Sequence, residues 1–141
     1  MGGAVGVLRA AQDARIRRLV SLAGMVHTRD FARREFGMIK PGHGCMWENE
    51  TCPLSQAYMD DLTRIGDLLA VAPRIQIPWL LLHGTADDVV PIQDSRDILA
   101  RAGKTTTQFV ELPGADHVFS GEATIEAVKG VVDWLLRNPI V

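Results

Sequence analysis

The sequence predicts an α/β fold built on parallel strands, and three stretches carry that reading. Residues 79–91, WLLLHGTADDVVP, open with four consecutive apolar residues and close on Gly84 and the carboxylate of Asp87. A strand buried on both faces of a parallel sheet reads as such an unbroken apolar run, and its C-terminal edge is where α/β proteins carry chemical groups. Residues 107–112, TQFVEL, read as the next strand and run through Pro113-Gly114 into Ala115-Asp116-His117. Residues 16–22, IRRLVSL, read as an earlier strand, ended by Ala23-Gly24. Helical stretches separate the three, and right-handed crossovers put helices on both faces of the sheet.

The chain opens with a helix in which Ala4, Val5, Val7, Leu8 and Ala11 are apolar enough to be buried. After the first strand the α/β rhythm stops. Residues 25–73 form an insertion of different character, richer in Met, Phe, Trp and turn residues, between core segments 1–24 and 74–141. Within it, Thr28 is expected to cap a short helix over 30–36, stopped by Gly37. Residues 40–51, KPGHGCMWENET, have neither helical nor strand period and read as loop. Pro53 opens an amphipathic helix with Leu54, Tyr58, Leu62, Ile65, Leu69 and Ala72 on one stripe, ended by Pro73. Beyond Asp87, Pro91 starts a helix over 92–102 with Ile98 and Leu99 inward and Gly103 as its stop. The last helix, 121–137, carries Ile125, Val128, Val132 and Leu135 along one face before Asn138-Pro139.

Composition bounds the function classes. The chain has 141 residues, 47% hydrophobic, with a net charge of -2, which suits one globular domain. Its 15 basic residues are dispersed, so no nucleic-acid partner is expected, and Arg15, Arg17 and Arg18 read as a solvated turn. No apolar run is long enough to span a bilayer. The compartment is open, with only a slight lean to the cytoplasm. Cys45 and Cys52, with six residues between them, match neither a zinc pattern nor a redox C-x-x-C; a local disulfide and two free thiols both stay open. No metal or organic cofactor is expected.

HGTADDVVP followed by LPGADH resembles the acid and histidine segments of the α/β-hydrolase superfamily, nearest its serine esterase and serine aminopeptidase-like branches. The resemblance implies a partial α/β-hydrolase fold, with three parallel strands, flanking helices and a lid formed by the insertion. It makes Asp87 the acid, since G-x-x-D counted from Gly84 ends there rather than on Asp88, and His117 the base. His83 and Asp116 are then neighbours of those groups, packing at a strand end and bonding loop backbone. Met1-Gly2-Gly3 resembles the x-G-G that follows the serine in G-x-S-x-G-G, so the nucleophile is expected immediately before Met1, with Met1 N–H as one oxyanion donor.

Ser21, Ser55, Ser95, Ser120 and Cys45 lack the flanking glycines of such a turn. On this resemblance the chain is the C-terminal part of the fold. Its partners are the missing N-terminal half, with roughly another hundred residues expected upstream, and a small-molecule ester or amide substrate. Alone it is expected to be inactive. Phe31, Phe36, Met46, Trp47 and Tyr58 in the lid are expected to bind an apolar or aromatic acyl group. A carboxylic ester is the favoured substrate, while an aminopeptidase-like or amidase activity, and a non-catalytic binding protein of the same fold, stay open.

Overall fold

The computed structural model describes residues 1–103 and 105–140. Among them the chain divides into two compact units, residues 1–26 with 68–141, and residues 27–67. The first unit contains α1 (Gly2–Ala10), β1 (Leu19–Leu22) and β2 (Trp79–Gly84), followed by α4 (Ile92–Arg101), β3 (Thr107–Leu112) and α5 (Glu122–Arg137). The second contains α2 (Thr28–Phe36) and α3 (Gln56–Ile65).

The strands form one parallel sheet in the order β1-β2-β3, with Leu19 opposite Trp79 and Trp79 opposite Thr107. Every residue of β2 is buried, as its unbroken apolar run requires of a central parallel strand. Alternate residues of β2 face opposite ways. Leu82 packs with Leu112, Phe119 and Ala127, so α5 covers that face. Leu81 shares a small void with Val7 of α1 and Ile98 of α4, which cover the other. On that second face the indole N–H of Trp79 donates to Ser21 Oγ at 3.0 Å, satisfying both buried polar groups.

Five elements differ from their sequence expectation; in α1, Val5 is 59% exposed rather than buried. β1 begins at Leu19, three residues after Ile16, because Asp13 and Ile16 close a turn and pairing with the β2 segment starts at Leu19 N–H to Pro78 O, 3.0 Å. Arg18 is therefore outside the strand, and its guanidinium donates to the carbonyls of Leu135 and Asn138 at the end of α5. Thr28 does not cap α2: it is the helix's first residue, fully buried, and its hydroxyl donates to Leu62 O in α3 at 2.8 Å.

The long helix expected from Pro53 to Ala72 is only α3. Ser55 caps it, accepting from Tyr58 N–H at 3.1 Å, and Gly66 ends it at φ +73°, a left-handed conformation that glycine adopts without steric cost. Finally, the expected apolar stripe of α5 mostly faces outward: Ile125 is 71% exposed and Val128 58%, while Ala127 and Trp134 are the residues buried against the body. Among the described residues no helix is long and apolar enough to cross a membrane.

Candidate active site

Asp87 and His117 leave the C-terminal ends of β2 and β3, neighbouring strands in parallel register, and so emerge from one edge of the sheet. The two loops are braced together by backbone bonds. Thr85 N–H donates to Leu112 O, Ala86 N–H to Ala115 O, and Gly114 N–H to Thr85 Oγ1 at 2.8 Å. The brace is tight at Gly84, where a Cβ would overlap the carbonyl oxygen of Ala115. His117 Nδ1 then lies 2.9 Å from Asp87 Oδ2.

The Asp87 carboxylate is completely buried. Its Oδ1 accepts from the backbone N–H groups of Val89 at 2.9 Å and Val90 at 2.8 Å. Its Oδ2 faces His117 Nδ1 and also His83 Nε2, at 3.1 Å. An ionised carboxylate offers about four acceptor sites, and two backbone N–H groups and two imidazole nitrogens face this one. The His117 side chain is a third exposed, and its Nε2 makes no hydrogen bond among the described residues. Asp116 bonds its own loop, accepting from Ser120 N–H at 2.8 Å, and the backbone and hydroxyl of Ser120 hold its carboxyl below the usual range. Asp88 is exposed.

His83 was legible only as a strand-end residue. It is fully buried, with Nδ1 2.7 Å from Ser95 Oγ and Nε2 2.9 Å from Val90 O, in addition to its approach to Asp87. The signal in the sequence is the His-Gly-x-x-Asp spacing, which brings residues 83 and 87 together across the turn.

Met1 precedes α1, and its carbonyl accepts from the N–H groups of Ala4 at 3.0 Å and Val5 at 3.3 Å. Its α-amino group is held below its ordinary pKa by partial burial. Of the five residues assigned to substrate, four gather in the second unit around Phe36. Its ring meets those of Phe31, Trp47 and Tyr58 edge-on, with centroids 6.0, 5.1 and 6.0 Å away. Phe36 is fully buried and Phe31 nearly so, whereas Trp47 is 55% exposed and Met46 half-buried. The Tyr58 hydroxyl is buried and has no hydrogen-bond partner among the described residues. Cys45 and Cys52 are both free thiols. No group of three His, Cys, Asp or Glu side chains among the described residues could hold a metal ion.

A parallel sheet flanked by helices, with an acid and a histidine paired at adjacent strand ends, is the architecture of an α/β-hydrolase. Residues 50–124, more than half of the chain, match the serine aminopeptidase, S33 family, and the chain belongs to it. Among curated proteins, the uncharacterized protein YfhR of Salmonella typhi is 40% identical over 76 residues, which cover 52% of this chain and 25% of YfhR. Esterase LipC of Mycobacterium tuberculosis is 28% identical over 91 residues, covering 52% of this chain and 23% of LipC.

Among solved structures, Est1E of Butyrivibrio proteoclasticus with ferulic acid bound superposes at a TM-score of 0.74 and 19% identity, over 97% of this chain and 55% of Est1E. The esterase domain of a Rhodothermus marinus protein gives 0.71 at 20% identity, over 96% of this chain and 57% of that domain. The chain thus spans little more than half of these structures, and its match covers about a quarter of the curated relatives.

Proposed function

We propose that Asp87 and His117 are the acid and general base of a Ser-His-Asp triad in a serine hydrolase acting on carboxylic esters. The observation that carries this reading is the 2.9 Å contact of His117 Nδ1 with the buried Asp87 carboxylate. With Nδ1–H committed to Asp87, Nε2 is the basic nitrogen, free to take a hydroxyl proton and return it to the leaving group. The carboxylate stabilises the imidazolium formed between those two transfers.

The serine of this reading comes immediately before Met1, and Met1 N–H is one oxyanion donor. In support, a Cβ on Gly3 would lie 2.6 Å from Gly24 Cα, so α1 starts beside the C-terminal end of β1. That is the sheet edge from which Asp87 and His117 emerge. A helix N-terminus there offers unpaired N–H groups to a developing anion. The 27–67 unit is read as a lid in which Met46, Trp47 and Tyr58 select the acyl group and Phe31 and Phe36 support them. The outward apolar stripe of α5 and the unpaired edge of β1 suit burial by the remaining part of the fold, the partner this reading requires. The reaction draws on no metal or organic cofactor.

A fluorophosphonate probe tests the reading, because only an activated serine displaces its fluoride. In the protein carrying its upstream residues, labelling is expected at the serine before Met1. His117→Ala should lower the labelling rate by about 10³-fold or more, and Asp88→Asn should change it little. Labelling at Ser21 or Cys45 would overturn the assignment. An aminopeptidase-like activity is favoured by the family description, and parallel assays on aryl esters and aminoacyl amides separate the two.

A further inference from the structure

We propose that His83 is a positioning residue, a second imidazole whose Nε2–H, hydrogen-bonded to Val90 O, also lies beside the Asp87 oxygen used by His117 and holds it by electrostatic attraction. The inference rests on the triad reading above. Its geometry stands independently, since His83, Asp87, Ser95 and Val90 all belong to the sheet-bearing unit.

The tautomer follows from the partners. His83 Nε2 lies 2.9 Å from Val90 O and 3.1 Å from Asp87 Oδ2. A carbonyl oxygen and an ionised carboxylate oxygen only accept, so Nε2 must carry the hydrogen; it is donated to Val90 O, with Asp87 Oδ2 beside it. Nδ1, 2.7 Å from Ser95 Oγ, is then the acceptor of the serine hydroxyl in the neutral ring. Ser95 is itself buried in α4, so the ring is held from a rigid element. A bare Nε2 would instead face two acceptors with its lone pair, in a site closed to water.

This arrangement fixes the plane of the carboxylate. Oδ1 is held by the Val89 and Val90 amides, and Oδ2 faces His83 Nε2 at 3.1 Å as well as His117 Nδ1 at 2.9 Å. Without His83, Oδ2 keeps one partner and the carboxylate loses the contact that directs it at His117. Displacing a catalytic ring by about 1 Å is sufficient to cost about 10²-fold in rate.

The test begins on the unaltered full chain. Long-range proton–nitrogen NMR of the 15N-labelled protein is expected to show His83 protonated at Nε2 alone. A His83 ring protonated at Nδ1 alone would overturn the proposal, and this readout requires no variant to fold. Two variants then separate positioning from packing. In His83→Gln the amide nitrogen falls near the Nε2 position and retains the donor; in His83→Asn it falls near Nδ1 and does not reach Asp87.

In the protein carrying its upstream residues, His83→Asn is expected to slow phosphonate labelling by about 10- to 100-fold. His83→Gln is expected to stay within a few-fold of the parent. Equal losses in the two variants, or no loss in a folded His83→Asn, would overturn the proposal. Failure of the triad reading shows separately, as labelling that survives His117→Ala, and leaves the tautomer of His83 to be judged on its own spectrum.

Discussion

Asp13 gathers both neighbouring arginines: Arg15 donates through its backbone N–H, Nε and Nη2, and Arg9 through Nη2. The side chain of Arg15, then its backbone N–H, bring the Asp13 carboxyl down to about 2. A depressed folded value means that the stabilisation is complete above the ordinary carboxylate value and is lost as pH falls through the depressed one. An NMR titration should place the Asp13 midpoint near 2, and Arg15→Ala, which removes the largest cause but keeps the backbone N–H and Arg9, should raise it part of the way to the ordinary value. Arg15 and Arg18, which read alike in sequence, thus have different roles, since Arg18 caps the end of α5. Asp87 and His117 were legible because a short strand-turn motif fixes each by itself. The His-Gly-x-x-Asp spacing brings His83 beside Asp87, but the orientation of its ring is set by Ser95, twelve residues beyond His83, and so is decided only once α4 has folded back onto β2.

β2 and β3 meet the site loops at Gly84, and that junction admits no side chain. Gly84→Ala would drive a Cβ into the Ala115 carbonyl, which is backbone and cannot turn aside. The loop bearing His117 must move, so thermal unfolding should show a loss of about 1–3 kcal/mol, with the contact between His117 and Asp87 lost in the histidine NMR spectrum. β2 was legible because a buried parallel strand advertises itself as an apolar run, and β3, though mostly not buried, begins and ends where its sequence predicts, while β1 starts later. Helix ends were harder. In α3 the apolar period continues past the left-handed Gly66, and periodicity carries no information on backbone handedness. In α5 two apolar stripes run side by side, and the one with the small Ala127 and the flat Trp134 approaches the sheet most closely.

For the whole molecule, the uncovered stripe of α5 decides solution behaviour. Leu22, Val118, Val128 and Val132 line an open apolar groove of about 310 Å³, and Ile125 and Leu136 are exposed nearby. Contiguous apolar surface of this kind drives association in water. The 141-residue chain by itself should sediment as concentration-dependent oligomers, and Ile125→Glu with Val128→Lys should return it toward monomer; a monodisperse parent would refute this. The polypeptide leaves the sheet-bearing unit at Val26 and returns at Leu68, and Leu68 N–H donates to Val26 O at 3.1 Å. Asp94 Oδ2 accepts from Val26 N–H at 2.6 Å, so the departure point is clamped to α4. Segments that leave and return through neighbouring residues can be exchanged cheaply, because closure entropy grows only slowly with the length between fixed ends. Residues 27–67 therefore form a cassette: other lengths and sequences can be spliced between the same two anchors while the hydrogen-bonded frame around Asp87 keeps its own connections.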